Sequence, residues 1–144
     1  MGNALEALFG EGMGTPEVAE VRRRISAEAE ECFRAAGLET MSQEKYAELR
    51  PDGLDAGAKT ERDLTKPVGP LNKPGNSTVQ SIMRGLDAET DHLNGEIVLL
   101  GRLAGVATPV NAAVQRAMAG LAARKEGAVG SVRPKELLAA AASL

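Results

Sequence analysis

Apolar residues return at intervals of three and four along most of this chain, and no stretch alternates with the period of two expected of a strand. Residues 3–9 read as a short helical piece, broken by the glycines at 10, 12 and 14. Thr15-Pro16-Glu17 has the form of a helix start, with Thr as N-cap, Pro at the first position and an acid in the first turn. Val18, Val21, Ile25, Ala29, Cys32 and Phe33 then recur at helical spacing until Gly37, a natural residue for the position just past a helix end. A shorter helix is expected over 41–49. The stretch 51–75 differs: prolines at 51, 67, 70 and 74 fall among glycines, and Leu54, Leu64, Val68 and Leu71 are its large apolar residues. A loop of that length is either functional or a tolerated surface insertion, and the pattern leaves both open. Ser77-Thr78-Val79-Gln80 has the form of a capping box opening a helix that ends near Gly85. A longer helix is expected over 88–103, closed by Gly105. Thr108-Pro109 repeats the earlier Thr-Pro start before a helix carrying Val110, Val114, Ala117, Met118 and Leu121, and Pro134 opens an Ala/Leu-rich tail. The expectation is an all-α fold, a single helical domain over 1–144 with 51–75 as an internal loop.

Composition sharpens this picture in one respect. Aromatic residues are only 2 % of the chain (Phe9, Phe33 and Tyr46), so its core is built from Ala, Leu, Val, Ile and Met, which suits close helix packing better than a β-sandwich. A formal net charge of −3, with no basic cluster interleaved with aromatics, argues against a nucleic-acid partner. Arg22-Arg23-Arg24 is the densest basic run, but acids at 17, 20, 28, 30 and 31 surround it, as on a solvated helix face. Cys32 is the only cysteine, which excludes an internal disulfide and a thiolate metal site, and its helical setting beside Phe33 reads as a buried, inert thiol. No apolar run reaches membrane-spanning length and no secretory pattern opens the sequence, so a cytoplasmic protein without membrane contact is expected.

Chemistry concentrates in few places. Projected at about 100° per residue, the helix over 88–103 puts Leu93, Ile97, Leu100 and Ala104 on one face and Asp91, Gly95, Val98 and Arg102 opposite. Glu89 projects onto the apolar side at the N-terminal end, where the helix dipole favours a carboxylate. It is either a routine first-turn acid or a residue lining a cleft. Ser77 is read first as a cap, although a helix start after Pro74-Gly75-Asn76 also offers backbone N–H groups to an anion. Gly10-Glu11-Gly12-Met13-Gly14 lacks both the preceding strand and the spacing of a dinucleotide loop. Glu89-Thr90-Asp91-His92 has the spacing of a di-iron ligand pair, but such a site needs two copies and His92 is the sole histidine, so no metal is expected.

Three elements in order, Ser77-x-x-Gln80, Glu89-x-Asp91-x-x-Asn94-Gly95 and Thr108-Pro109-x-Asn111, carry a resemblance to the C-terminal helical domain of ketopantoate reductases (2-dehydropantoate 2-reductases). Lys66-Pro67 and the segment from Gly2 to Leu8 are also similar, so the likeness covers most of 2–125. The resemblance implies a multi-helix orthogonal bundle of the kind also found in 6-phosphogluconate-dehydrogenase-like helical domains. It implies an oxidoreductase of pantothenate biosynthesis, in which a Rossmann domain binds NADPH and the helical domain closes the substrate cleft. Hydride passes to the keto carbon of a small 2-keto acid. The resemblance matches Ser77 to the serine that hydrogen-bonds the substrate, Glu89 to the glutamate near cofactor and substrate, and Asn3 to one of the asparagines lining the site.

The departure from the family is as informative as the match. The family's proton-donating lysine precedes those asparagines on the same helix, before the point where this sequence opens, and the Gly-rich nucleotide loop with its βαβ units is absent from these residues. Carbonyl reduction needs a hydride source and an acid for the forming alkoxide. The expectation is a substrate-binding domain inactive on its own, binding NADPH only with a separately supplied Rossmann domain and otherwise prone to self-association through its uncovered face. A non-enzymatic helical interaction module that keeps the fold is the alternative.

Overall fold

The computed structural model describes residues 2–41, 43–49, 77–83, 90–124 and 129–144. By contacts the chain divides into two units, Met1–Leu38 with Gly75–Leu144, and Glu39–Pro74. In the second, one helix is described, at Gln43–Leu49, where the pattern predicts 41–49. The Pro/Gly-rich stretch 51–75 lies outside the described residues. In the first unit the helices are α1 (Gly2–Phe9), α2 (Pro16–Ala35), then, numbering Gln43–Leu49 as α3, α4 (Ser77–Met83), α5 (Thr90–Ala104), α6 (Pro109–Arg124) and α7 (Pro134–Ala141). Among the described residues there is no strand, and the all-α expectation holds.

The ends of α2 follow from the residues that mark them. Thr15 Oγ1 accepts from the Val18 N–H at 3.4 Å, satisfying one of the helix's first free donors, while Pro16 has no N–H to satisfy. At the other end Gly37 takes φ +68°. That turn lets the Leu38 N–H reach the Phe33 carbonyl (2.9 Å) and the Gly37 N–H reach Arg34 (3.2 Å), pairing two of the last orphan carbonyls. The glycines at 10, 12 and 14 do not simply break the chain, as the pattern predicts. Gly10–Gly14 is a 3-10 turn, and the Thr15 hydroxyl donates back into it at the Gly12 carbonyl (3.0 Å). The preceding residues have already coiled as α1, and the tighter winding turns the chain directly into α2 without an open loop.

The main core gathers Leu5, Leu8 and Phe9 from α1, Val18, Val21 and Ile25 from α2, Val79 and Ile82 from α4, Val110, Val114, Met118 and Leu121 from α6, and Leu137 from α7. A smaller cluster joins Ala29 and Cys32, further along α2, to Ile97 of α5, with Phe33, Leu100 and Val106 packed on it. Each large aliphatic side chain so buried contributes about 1.5–3 kcal/mol. The chain after α6 closes over α1: the Gly130 N–H donates to the Ala7 carbonyl (2.9 Å) and the Val132 N–H to that of Leu8 (3.1 Å). Those carbonyls belong to the last turn of α1, which has no helical donors left for them.

One face differs from the sequence expectation. On α5 the buried residues are Asn94, Ile97, Val98 and Gly101, whereas Leu93 is 40 % exposed. The apolar stripe of Leu93, Ile97, Leu100 and Ala104 therefore does not define the inward side, and Val98, assigned to the outer face, is 6 % exposed. Two residues that carry no hydropathic weight rotate the helix. Asn94 is buried through a polar network, and Gly101 lets the neighbouring backbone approach. A Cβ built on Gly101 would sit 2.7 Å from both the Val106 carbonyl oxygen and Thr108 Cγ2, and 3.3 Å from Cys32 Sγ. Gly101→Ala is accordingly expected to cost about 1–3 kcal/mol despite the better helix propensity of Ala. An equilibrium urea titration checks this; an unchanged or raised midpoint would show that the contact with Val106 is not close in solution.

Candidate functional site

The two asparagines of the sequence motifs meet in the interior. Asn94 on α5 and Asn111 on α6 are both fully buried, and the Asn94 Nδ2–H donates to Asn111 Oδ1 at 2.9 Å. The Asn111 amide nitrogen in turn donates to Glu28 Oε2 (2.7 Å) and to the Ile25 carbonyl (3.3 Å), both on α2. Because both of those partners are acceptors, the orientation of the Asn111 amide is fixed. That fixes Asn94 too, since only its amino group can face Asn111 Oδ1. Asn94 Oδ1 is then the one buried side-chain polar atom without a partner among the described residues.

Glu28 does more than hold Asn111. Its Oε1 accepts from the Val110 N–H (2.8 Å) and its Oε2 from the Asn111 N–H (2.9 Å), so the carboxylate caps the first turn of α6 from another helix. The Thr-Pro pattern predicts Thr108 as the cap; here Thr108 gives its carbonyl to the Ala112 N–H (3.0 Å), and the free donors go to Glu28. A carboxylate at this position meets both the unpaired N–H groups and the positive end of the helix dipole. On α2, Glu28 stands between Ile25, which belongs to the main core, and Ala29, which belongs to the smaller cluster. The network thus crosses the seam where the two apolar clusters meet and fixes α2, α5 and α6 against one another.

Around it the charged groups behave as surface groups. Bidentate hydrogen bonding from Arg23, then a further bond from Arg24, holds the Glu20 carboxyl at about 2, well below the usual range. The basic run 22–24 is exposed, as expected of a solvated face. Cys32 is fully buried with Sγ 3.8 Å from the Ile97 carbonyl, and burial, followed by the nearby Glu28 and Glu31 carboxylates, pushes its thiol up. A raised thiol pKa in an apolar setting is that of an unreactive cysteine. Among the described residues no three His, Cys, Asp or Glu side chains converge in a way that would hold a metal ion. No helix of the described residues is long and apolar enough to cross a membrane.

Of the three residues singled out from the sequence, two fall on described helices. Asn3 lies in the first turn of α1 with an exposed side chain, and Ser77 is the first residue of α4. Those two helices pack together, Leu5 and Leu8 joining Val79 and Ile82 in the main core. Glu89 lies outside the described residues, immediately before Thr90 at the start of α5, and so does the side chain of Ser77. The glycine-rich segment 10–14 follows a helix and winds as a 3-10 turn, so these residues hold no dinucleotide loop of their own.

The pattern counts Glu28 among the acids of a solvated face, whereas its carboxylate is turned inward onto the start of α6, and a signal for that is present in the sequence. Positions 18, 21, 25, 28 and 32 recur at steps of three and four, so Glu28 occupies the buried stripe of α2. An acid in such a stripe needs a buried partner.

No curated protein and no solved structure matches the chain. A family model does, over residues 2–122: that of the ketopantoate reductase PanE/ApbA C terminal. The matched span takes in α1 to α4, α5 and nearly all of α6, with Ser77, Asn94 and Asn111 within it, while α7 lies beyond it. The chain belongs to the ketopantoate reductase family, as its C-terminal helical domain.

Proposed function

We propose that this domain closes the substrate cleft of an NADPH-dependent reductase of small 2-keto acids, acting on a Rossmann domain supplied from outside these 144 residues. The observation that carries the reading is the family match over 2–122, which contains Ser77-x-x-Gln80, Glu89-x-Asp91-x-x-Asn94-Gly95 and Thr108-Pro109-x-Asn111 in order. The Asn94–Asn111–Glu28 network supports it, because it ties the second and third of these motifs together and to α2. A rigid joint behind the start of α5 is what a cleft-lining residue at 89 requires.

NADPH, held by the partner domain, supplies the hydride. Ser77 hydrogen-bonds the 2-keto acid, Glu89 stands near substrate and nicotinamide, and Asn3 lines the same cleft from α1. No G-x-G-x-x-G sequence occurs in the chain, so by itself it neither binds NADPH tightly nor reduces ketopantoate. Without the nucleotide domain its cleft face self-associates or takes up that domain from another chain, and a reaction in the cytoplasm is the setting this implies.

The experiment is complementation. The chain is mixed with a Rossmann domain of the family that ends in the proton-donating lysine, and NADPH oxidation is followed with ketopantoate and other 2-keto acids. Activity is expected only in the mixture. Ser77→Ala should mainly raise KM, by the loss of one hydrogen bond to a charged group, about 1.5–3 kcal/mol. Glu89→Gln should lower kcat more than it raises KM, since it changes the charge around the reacting pair. Turnover by the chain alone would overturn the requirement for a partner. Restored activity that neither substitution alters would leave both residues as helix-start residues and sink their assignment to the cleft.

A further inference from the structure

A cavity with a volume of about 360 Å³ opens between α6 and α7, and Asn3 is not among the described residues that line it. That volume is near the lower end of the range for small-molecule sites. One wall is a trough on α6, where Ala113, Ala117 and Gly120 leave space. The other is built by Leu137 and Ala140 of α7. α7 lies beyond the residues matched to the family, so one wall of this cavity falls outside the matched span.

The charges at the mouth decide what the trough suits. Arg116 and Arg124 both line it, eight residues apart on one helix, and so about 12 Å apart along its axis. Neither takes part in an ion pair or hydrogen bond among the described residues. The Arg124 side chain folds back along the trough, its Nη2 3.8 Å from where a Cβ on Gly120 would stand, so the missing side chain makes room for the guanidinium. Glu136, the one acidic side chain on the lining, lies 3.9 Å from Arg133, and Leu144, which carries the terminal carboxylate of this sequence, is also on the lining. An apolar floor beneath two unpaired guanidinium groups is complementary to a carboxylate on an alkyl chain: the chain fills the trough between Ala117 and Leu137, and the carboxylate takes the fork of Arg124 or Arg116. We propose that the α6–α7 cavity is a binding site for an aliphatic monocarboxylate, separate from the 2-keto-acid cleft.

Sodium octanoate is the probe, titrated into the full chain while backbone amide shifts are recorded, with octan-1-ol and octylammonium as controls for the two halves of the argument. Saturable shifts centred on Ala117, Gly120, Leu137 and Ala140 are expected with octanoate. Octanol should bind at least tenfold more weakly, and octylammonium should not saturate. The double variant Arg116→Ala/Arg124→Ala should weaken octanoate binding tenfold or more. Gly120→Leu should fill the trough and abolish binding at an unchanged melting temperature, because its Cβ would meet only the mobile end of Arg124. No saturation at millimolar octanoate would overturn the proposal, as would equal binding of the alcohol or the amine, or shifts centred elsewhere. Should Gly120→Leu fail to fold, the arginine variant and the two control ligands decide the matter. The site's test uses no Rossmann domain, so its failure is separate from failure of the reductase reading.

Discussion

Replacing Glu28 by Ala is expected to destabilise the domain by about 3–4 kcal/mol, more than the loss of a typical surface carboxylate would suggest. The carboxylate accepts three hydrogen bonds, from the Val110 and Asn111 N–H groups and from Asn111 Nδ2, all at 2.7–2.9 Å. Truncation would leave two backbone donors at the head of α6 without an acceptor, one of them on the fully buried Asn111. An ordinary lost N-cap costs about 1 kcal/mol; the excess comes from the charge-assisted bond to the Asn111 side chain. Glu28→Gln should fall between, since its amide oxygen can accept from one of the two N–H groups while its NH2 faces the other. Urea unfolding gives the measurement. A loss below about 1 kcal/mol for Glu28→Ala would show that water caps α6 equally well.

The second large effect is an asymmetry between two asparagines that are equally buried and hydrogen-bonded to each other. Asn111→Leu should cost about 3–4 kcal/mol, and Asn94→Leu no more than about 1.5 kcal/mol. Asn111 makes three side-chain bonds, one to a carboxylate, and its removal also leaves the buried Asn94 amide with nothing. Asn94 makes a single neutral bond and already carries an unpartnered oxygen. Its replacement by a side chain of similar shape exchanges one orphan acceptor for another and adds apolar burial. Measuring both singles and the double variant gives the coupling directly, and a double variant less destabilised than the sum is expected. Equal effects of the two singles would mean that Asn94 Oδ1 has a strong partner in solution.

The fold was largely legible in the sequence because its helix signals are local. Thr15-Pro16, the periodic run to Cys32 and the glycine at 37 specify α2 without any tertiary information, and the same holds for the start of α7 at Pro134. The inward face of α5 was not legible, because it depends on partners distant in sequence. Asn94 is buried through a residue 17 positions away, and Gly101 by a close approach from Val106 and Thr108. Hydropathy registers neither kind of burial. The same holds for the cap of α6: Glu28 reaches a helix start 82 residues on, and a local rule assigns that start to Thr108. The motif asparagines were visible as a pattern, but their meeting each other was not. Ser77 and Asn3 stood out by their place in motifs, and the packing of α1 on α4 that links their helices rests on Leu5, Leu8, Val79 and Ile82.

The hydrogen bonds from Gly130 and Val132 to Ala7 and Leu8 join α1 to the segment that follows α6. During translation α1 emerges more than a hundred residues before those donors do, and its Leu5, Leu8 and Phe9 also await Val79, Val114 and Leu137. Cotranslational folding of this domain therefore cannot proceed helix by helix from α1 onward, and a ribosome stalled after α5 leaves the apolar face of α1 open to whatever chaperone stands at the exit tunnel.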